Sequence, residues 1–299
     1  MDLGITSFEY RYPLTSSGRT GKGTHQINLC GATGDHIFER IKSTNGFYEI
    51  ELLECIRAGL RGQASLIVDV GANIGNHTVY FAKVIGAKVI CVEPNPVVLD
   101  LLDRNIASNG ITRRVSVVRA AAADVSGRAT LFSGPPWNLG MTYVTQEDGR
   151  DRRDIPTLTL DEIIGSTVQD TGTWVSAIKI DVEGFEERVL TGCLRTIMRY
   201  KPIIIVEAES RKHRCRIDGI LLREGYYRVG PFCATPTYVY TFGVFATTRV
   251  LIALIEDMAY SLVKRILRWS RRRLRGIVFA HNRYLNLIAI AQSIRATIL

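Results

Sequence analysis

The sequence predicts an α/β fold, a doubly wound and mostly parallel sheet with helices on both faces. Three observations carry this expectation. Short β-branched runs alternate with helical patterns at the spacing of strand–helix–strand units, beginning at Leu66. The first of these runs breaks at Gly71 and Gly75 directly into a helical pattern, the strand–turn–helix signature of a ligand crevice. Acidic residues then recur near the ends of successive apolar runs, at Asp69, Glu93, Asp181 and Glu207. A chain of 299 residues with 46% hydrophobic content is long enough for one large domain with extensions or for two small ones.

Taken in order, residues 1–45 are rich in Gly, Ser and Thr, show no firm periodicity, and read as an N-terminal extension with at most short strands. Arg19-Thr20-Gly21-Lys22-Gly23-Thr24 lacks the preceding strand and the Gly-Lys-Ser/Thr order of a phosphate loop, so it reads as a solvated turn. Ile50, Leu53, Ile56 and Leu60 keep helical spacing and predict an amphipathic helix over 47–60. Tyr48 and Glu49 at its start either line the crevice or form an ordinary helix N-terminus. The expected core elements are a strand at 66–70, a helix at 76–85, a strand at 88–92, a helix at 96–108 stopped by Asn109-Gly110, and a strand at 115–119. Ala120 to Ala123 either leave room for a flat ring, with Asp124 accepting from its amino group, or start a helix. Residues 125–156, which include Gly127, Gly134, Pro135, Pro136, Gly140 and Gly149 and a charge run from Glu147 to Asp154, read as a hairpin-like insertion and a loop beside the crevice. Trp137 and Asn138 are its expected substrate contacts. Strands follow near 174–180, 203–207, 226–229 and 238–244, and Tyr284 to Ile290 reads as the last strand.

The acidic residues indicate the ligand. Glu93, at the end of the second strand, is placed to accept hydrogen bonds from both hydroxyls of a ribose. A pyrophosphate would be repelled by Asp69 just before the turn, whereas a cationic sulfonium with an amino-acid tail would not. Asn73 and Asn76 also stand where a dinucleotide fingerprint has its second and third glycines. The expected cofactor is therefore S-adenosyl-L-methionine. A second stretch, Ile178-Lys179-Ile180-Asp181-Val182-Glu183-Gly184, brings three ionisable groups to a strand end, and their period-two spacing points them to one side. Lys179, Asp181 and Glu183 are the candidate catalytic residues, with Asp181 or Glu183 taking a proton from a substrate hydroxyl. The competing structural account has Lys179 neutralising Asp181 while a helix dipole favours Glu183. Glu207 and Glu209 add carboxylates on the same edge, which suits a hydroxyl-rich acceptor. No metal site is assigned, although Asp181, Glu183 and Glu207 are hard oxygen ligands of the kind a divalent cation takes.

Charge and targeting signals bound the partners. The formal charge of +9 is concentrated in Lys264, Arg265, Arg268, Arg271, Arg272, Arg273 and Arg275, leaving the remainder near neutral, which makes nucleic acid an unlikely substrate. Six cysteines without a paired spacing, no leader-like N-terminus and no long apolar run predict a reduced, cytoplasmic protein. Leu251, Ile255, Met258, Leu262, Ile266 and Trp269 keep helical spacing through the basic segment, so 246–280 reads as an inserted amphipathic helix. It either docks on its own domain or lies on an anionic membrane through 264–275, at the inner membrane face.

Val68-Asp69-Val70-Gly71-Ala72-Asn73-Ile74-Gly75-Asn76-His77-Thr78, Val92-Glu93-Pro94-Asn95-Pro96, Thr159-Leu160-Asp161, Ile178 to Glu186 and Pro202 to Glu207, in that order, resemble an FkbM-family methyltransferase. The resemblance spans roughly 46–245 with a final core strand in 281–299. It implies a class I methyltransferase fold, a Rossmann-like sheet of seven strands with the last antiparallel. It also implies S-adenosylmethionine as donor and O-methylation of hydroxyls on sugars, glycans, glycolipids or related natural products. Carried over by position, Asp69, Gly71, Asn73 and Gly75 would hold the methionine part, Glu93 the ribose with Asn95 beside it, and Asp181 and Glu183 would stand at the transfer site. Two other functions compete. A nucleic-acid methyltransferase would more typically show Asn/Asp-Pro-Pro-Tyr/Phe where this chain has Asp181-Val182-Glu183-Gly184. A non-catalytic binding module would not need the acidic and glycine positions.

Overall fold

The computed structural model describes residues 4–16, 19–60, 64–132, 135, 137–145, 153–168, 172–243 and 250. The chain opens with two long antiparallel strands, β1 (Ile5–Ser16) and β2 (Arg19–Ala32), followed by α1 (His36–Thr44) and α2 (Ile50–Leu60). The extension expected at 1–45 is therefore ordered structure, and Arg19 to Thr24 belongs to β2 rather than to a turn. The alternation that builds the ribbon is visible in Phe8-Glu9-Tyr10-Arg11-Tyr12 and in Ile27 and Leu29, whose side chains reach the main core while their neighbours face out.

The next segment is the expected alternation: β3 (Leu66–Val70), α3 (Asn76–Val79), β4 (Lys88–Val92), α4 (Pro96–Ser108) and β5 (Val115–Val118). The helix over 76–85 forms, but it widens into a π-helical turn over Tyr80–Ile85 that ends at left-handed Gly86. A small second sheet comprises β6 (Ala121–Ala122), β7 (Gly127–Phe132), β8 (Tyr143–Thr145) and β9 (Arg153–Leu158), so the insertion is a hairpin-based sheet as expected. Then come α5 (Leu160–Thr167), started by a Thr159/Glu162 capping box, β10 (Val175–Ile180), α6 (Glu186–Thr191) and α7 (Leu194–Tyr200). The described chain ends with β11 (Ile203–Glu207), α8 (Arg211–Leu221), β12 (Tyr226–Phe232) and β13 (Thr237–Phe242).

The main sheet has seven strands in the order β12-β13-β11-β10-β3-β4-β5, and β13 runs antiparallel to both neighbours. The expected class of fold is met, but its antiparallel strand is Thr237–Phe242. The strand expected at Tyr284 to Ile290 and nearly all of the basic helix expected at 246–280 lie outside the described residues. The exception is Val250, which is buried against α2 beside Gly59. Side chains alternate between two cores: Ile67, Cys91, Ala177 and Ile205 face α1, α2 and α4, while Val68, Ile90, Ile178 and Ile204 face α5 to α8. Burial on both faces explains why these strands read as continuous apolar runs. None of the six cysteines is in a disulfide.

Sheet register also sets the functional edge. Val70 pairs with Val92 on one side and Ile180 on the other, and Ile180 pairs with Val206. The next residues along these four parallel strands, Gly71, Glu93, Asp181 and Glu207, therefore form one row at the carboxyl end of the sheet. That end is where ligands bind in doubly wound folds.

Candidate active site

A cleft opens above the Gly71, Glu93 and Asp181 positions of this row. Its floor is the Gly71–Gly75 turn. Gly71 has φ +73°, and a Cβ there would stand 1.8 Å from the Asp181 carbonyl oxygen, so only glycine lets the turn cross the end of β10. Gly75, at φ +87°, leads into α3 against Leu102. Between them Asn73 is also left-handed, its backbone N–H donates to Glu93 Oε2 at 2.8 Å, and its buried Oδ1 has no protein donor. Asn105, fully buried on α4, ties the turn to the ribbon by donating to the Ile74 and Cys30 carbonyls.

Glu93 is 5% exposed and lines the cleft. Burial pushes its carboxyl up to about 7, opposed by the backbone N–H groups of Asn95 and Asn73, which it accepts at 2.8 Å each. Ala121 and Ala122 form the wall beside it, as the small-residue reading anticipates.

Four residues expected to touch a cofactor, Gly75, Asp69, Asn95 and Asp124, do not line the cleft. Asp69 is fully buried beneath the turn, where it accepts a 2.6 Å hydrogen bond from Thr78 Oγ1. It is the register partner of Lys179 on the adjacent strand, and the Lys179 Nζ lies 3.6 Å away. Its charge is thus neutralised inside the protein, and the argument that Asp69 repels a pyrophosphate loses its basis. Asn95, also fully buried, caps α4 by accepting from Val97 N–H and donates to Thr142 Oγ1. Asp124 faces Arg188 at 3.6 Å instead of an adenine.

The opposite end of the cleft is ionisable. Lys179 is 5% exposed, with Nζ 3.2 Å from Asp181, and donates to the Gly71 carbonyl at 3.0 Å. Desolvation opposes its charge, but Asp181 and Asp69 outweigh it and hold the ammonium protonated. Lys179 is therefore a buried counter-ion that supports the site. Asp181 loses some basicity in return: burial would raise its carboxyl, but Lys179 and a hydrogen bond with Glu207 lower it. Glu207 is raised by burial, by the Asp181 charge and by that same hydrogen bond, so the two carboxyls share a proton. Glu183, in a left-handed turn and half-buried, is pushed up to about 7 by burial and by Asp181, Glu209 and Glu186. Carboxylate oxygens of Asp181, Glu183 and Glu207 lie within 4.8 Å of one another, a spacing open to a shared proton or a hard cation.

Residues 69–227, more than half of the chain, match the Methyltransferase FkbM domain. The chain belongs to this family. As an FkbM-domain methyltransferase, it is 28% identical over 188 residues to Methyltransferase sdnD of Sordaria araneosa, covering 54% of this chain and 73% of that protein. Among solved structures, it aligns with methyltransferase FkbM from Methylobacillus flagellatus KT at 23% identity and a TM-score of 0.44, over 60% of this chain. That alignment spans only 44% of the solved chain. Precorrin-6y C5,15-methyltransferase from Geobacter metallireducens GS-15 aligns at 14% identity and a TM-score of 0.38, over 64% of this chain and 86% of the other.

The remaining walls of the cleft come from α1, the residues leading into α2 and the 125–156 segment expected beside the crevice. Asp35 caps α1 through Phe38 N–H and also accepts Leu139 N–H at 3.0 Å, which draws the 137–142 segment over the cleft. Leu139, Gly140, Thr142 and Val144 line it, with Ile37 of α1. Trp137 is 61% exposed and, like Asn138, is not part of the lining, so the substrate contact expected of this pair falls to its neighbours. Tyr48 lines the cleft, as one sequence reading allows, and is held by reciprocal hydrogen bonds with the Asn76 side chain. His77 also lines it, 3.6 Å from Glu49, and burial lowers its basicity. Among the described residues, no helix is long and apolar enough to cross a membrane.

Proposed function

We propose that this methyltransferase uses S-adenosylmethionine to O-methylate a hydroxyl of a sugar, glycan, glycolipid or related natural product, with Glu183 as the general base. The observation that carries the reading is the division of the cleft, with a buried ribose-type acceptor, Glu93, at one end and Asp181 and Glu183 at the other, backed by Glu207. The turn suits the cofactor because Asn73 Oδ1 on it is a buried acceptor with no protein donor. Gly71 and Asn73 would hold the methionine part, Glu93 the ribose and Ala121–Ala122 the adenine face. S-adenosylmethionine, when bound, supplies an electrophilic methyl group.

The protein's own task is then to orient the acceptor oxygen and remove its proton. Asp181 is the weaker candidate, because its charge is committed to Lys179 and its second interaction to Glu207. Glu207 holds its own proton at neutral pH. Glu183 combines a position on the cleft with a carboxyl near 7, so that about half of it is ionised at neutral pH while it keeps enough basicity to accept a proton. Glu183 would take the acceptor O–H proton as the oxygen gains the methyl group, which the cofactor would give up by keeping the C–S bond pair on sulfur as a neutral thioether. Neighbouring protonated and ionised carboxyls offer both donors and acceptors to a polyol, which favours a hydroxyl-rich acceptor over an anionic one.

Incubating the protein with methyl-labelled S-adenosylmethionine and glycan or lipid extracts tests the proposal. Label in a sugar-containing fraction, with a mass gain of one methylene unit, is the expected result. Label confined to protein or nucleic acid would overturn it. The expected membrane contact of residues 264–275 is a separate proposal, tested by flotation with anionic liposomes before and after those basic residues are neutralised.

A further inference from the structure

The turn that carries Asp181 and Glu183 is conformationally costly. Glu183 and Gly184 are left-handed in succession, at φ +51° and +96°, and β10 has already ended at Ile180. Among the described contacts of this turn, Glu186 spans it. Glu186 is 1% exposed, and its Oε1 accepts the backbone N–H groups of Val182 and Gly184 at 3.1 Å each. A carboxylate bracketing two donors in this way orders the turn between them. Its other oxygen, Oε2, lies 3.2 Å from Nε2 of His213, which is 9% exposed in the first turn of α8, where its backbone N–H donates to the Ser210 cap.

We propose that Glu186 is a positioning residue, braced by His213, whose carboxylate fixes the Asp181–Phe185 turn so that Glu183 faces the cleft. The proposal rests on the reading of Glu183 as the base. It assigns work to the last acid of the Asp181-Val182-Glu183-Gly184-Phe185-Glu186 stretch and to a histidine some thirty residues further along the chain. The brace is ionic when His213 is protonated. Its hydrogen bond to Glu186 raises the imidazole above its ordinary value, against the opposing effect of burial. The other charged groups facing the pair are Glu187 of α6, which is 3.1 Å from Arg216 of α8, and, toward the turn, Glu183 and Glu207. Arg216 opposes the imidazolium and Glu187 favours it.

Hydrogen exchange of the full chain, read at the Val182 and Gly184 amides, tests the brace without needing the acceptor. Strand amides of β3 and β10 serve as the internal control for folding, and calorimetry with S-adenosylhomocysteine reports the cleft. Glu186→Ala should speed exchange at the two amides by about tenfold or more while the strand amides stay protected. Glu186→Gln, whose amide oxygen still accepts both N–H groups, should restore most of the protection, a rescue that a merely space-filling role would not predict to be selective for these amides. His213→Gln should hold protection at every pH near the lower level that the unaltered protein reaches above the histidine range, so that the pH-dependent decline beyond the intrinsic rate is lost. Unchanged exchange in Glu186→Ala, or equal loss in Glu186→Ala and Glu186→Gln, would overturn the proposal. If Glu186→Ala does not fold, the Gln variants carry the test, and a pH dependence identical with and without His213 would overturn it. Failure of the unaltered protein to bind S-adenosylhomocysteine would count against the cofactor reading alone.

Discussion

The two ends of the cleft solve their tasks with different parts of the chain. At the Gly71–Gly75 end the working groups are backbone atoms, held by left-handed residues and by a single carboxylate, Glu93, that accepts two main-chain N–H groups. At the Asp181 end the working groups are side chains, a buried Lys179 and three carboxyls whose ionisation each depends on the others. The first arrangement is rigid and insensitive to pH except through Glu93. The second is a charge network, and removing one member changes the rest. The proposed function assigns cofactor seating to the first end and proton handling to the second.

That contrast is open to graded tests. The largest effect is expected from Glu183→Gln, which should lower turnover by about 10²–10⁴-fold while S-adenosylhomocysteine affinity changes little in calorimetry. In the unaltered protein, turnover should climb as pH rises through about 7, because the deprotonated Glu183 is the active form, and the variant should lose this limb. Equal losses of turnover and affinity would erase the division of labour. Next comes Gly71→Ala, which combines a left-handed φ with a 1.8 Å approach to the Asp181 carbonyl. It should cost about 2–5 kcal/mol in urea denaturation and abolish cofactor binding.

Glu93→Ala should weaken S-adenosylmethionine binding by about 1–3 kcal/mol, and the unaltered protein should bind more weakly as pH falls below about 7 and Glu93 gains a proton. An unchanged affinity would remove the ribose assignment. The smallest effect is expected from Glu207→Gln, because the amide can donate to Asp181 as the protonated carboxyl does. At pH 7 it should shift stability by less than about 1 kcal/mol. The sign follows from linkage: the folded-state value of Glu207 is raised above its ordinary 4.5. Its contribution is full below that value and is lost as pH rises toward the native one, so the variant should flatten stability on the alkaline side. A large loss at pH 7 would show that Glu207 is ionised, and magnesium-dependent stability would then favour a cation held by the three carboxyls.

Much of the framework was legible before any coordinates. The helical and two-residue periods, Asn109-Gly110 as a stop, and the glycine turn are local signals, read within a few residues of where they act. Glu93 and the Lys179–Glu183 stretch were legible for the same reason, since each sits at the end of an apolar run that must be a buried strand. The ribbon over 5–32 went unread because its alternating residues are diluted by Gly, Ser and Thr, and its partner surface on α4 lies some eighty residues away. Asp35, Asn105, Glu186 and His213 carry ordinary local signatures as cap, helix interior and helix start; their work lies in contacts made at a distance.

The sequence by itself determined the class of fold, the turn and the acids available to it, because backbone propensity and strand-end position are properties of short segments. Tertiary structure alone decided which acids face the cleft. Strand register set Lys179 beside Asp69 and withdrew that carboxylate from any ligand, and packing of β11 against β10 gave Asp181 a second carboxyl with which to share a proton. Ionisation is set by the sum of charges and burial around a group, and that sum exists only once segments from four strands meet at one edge.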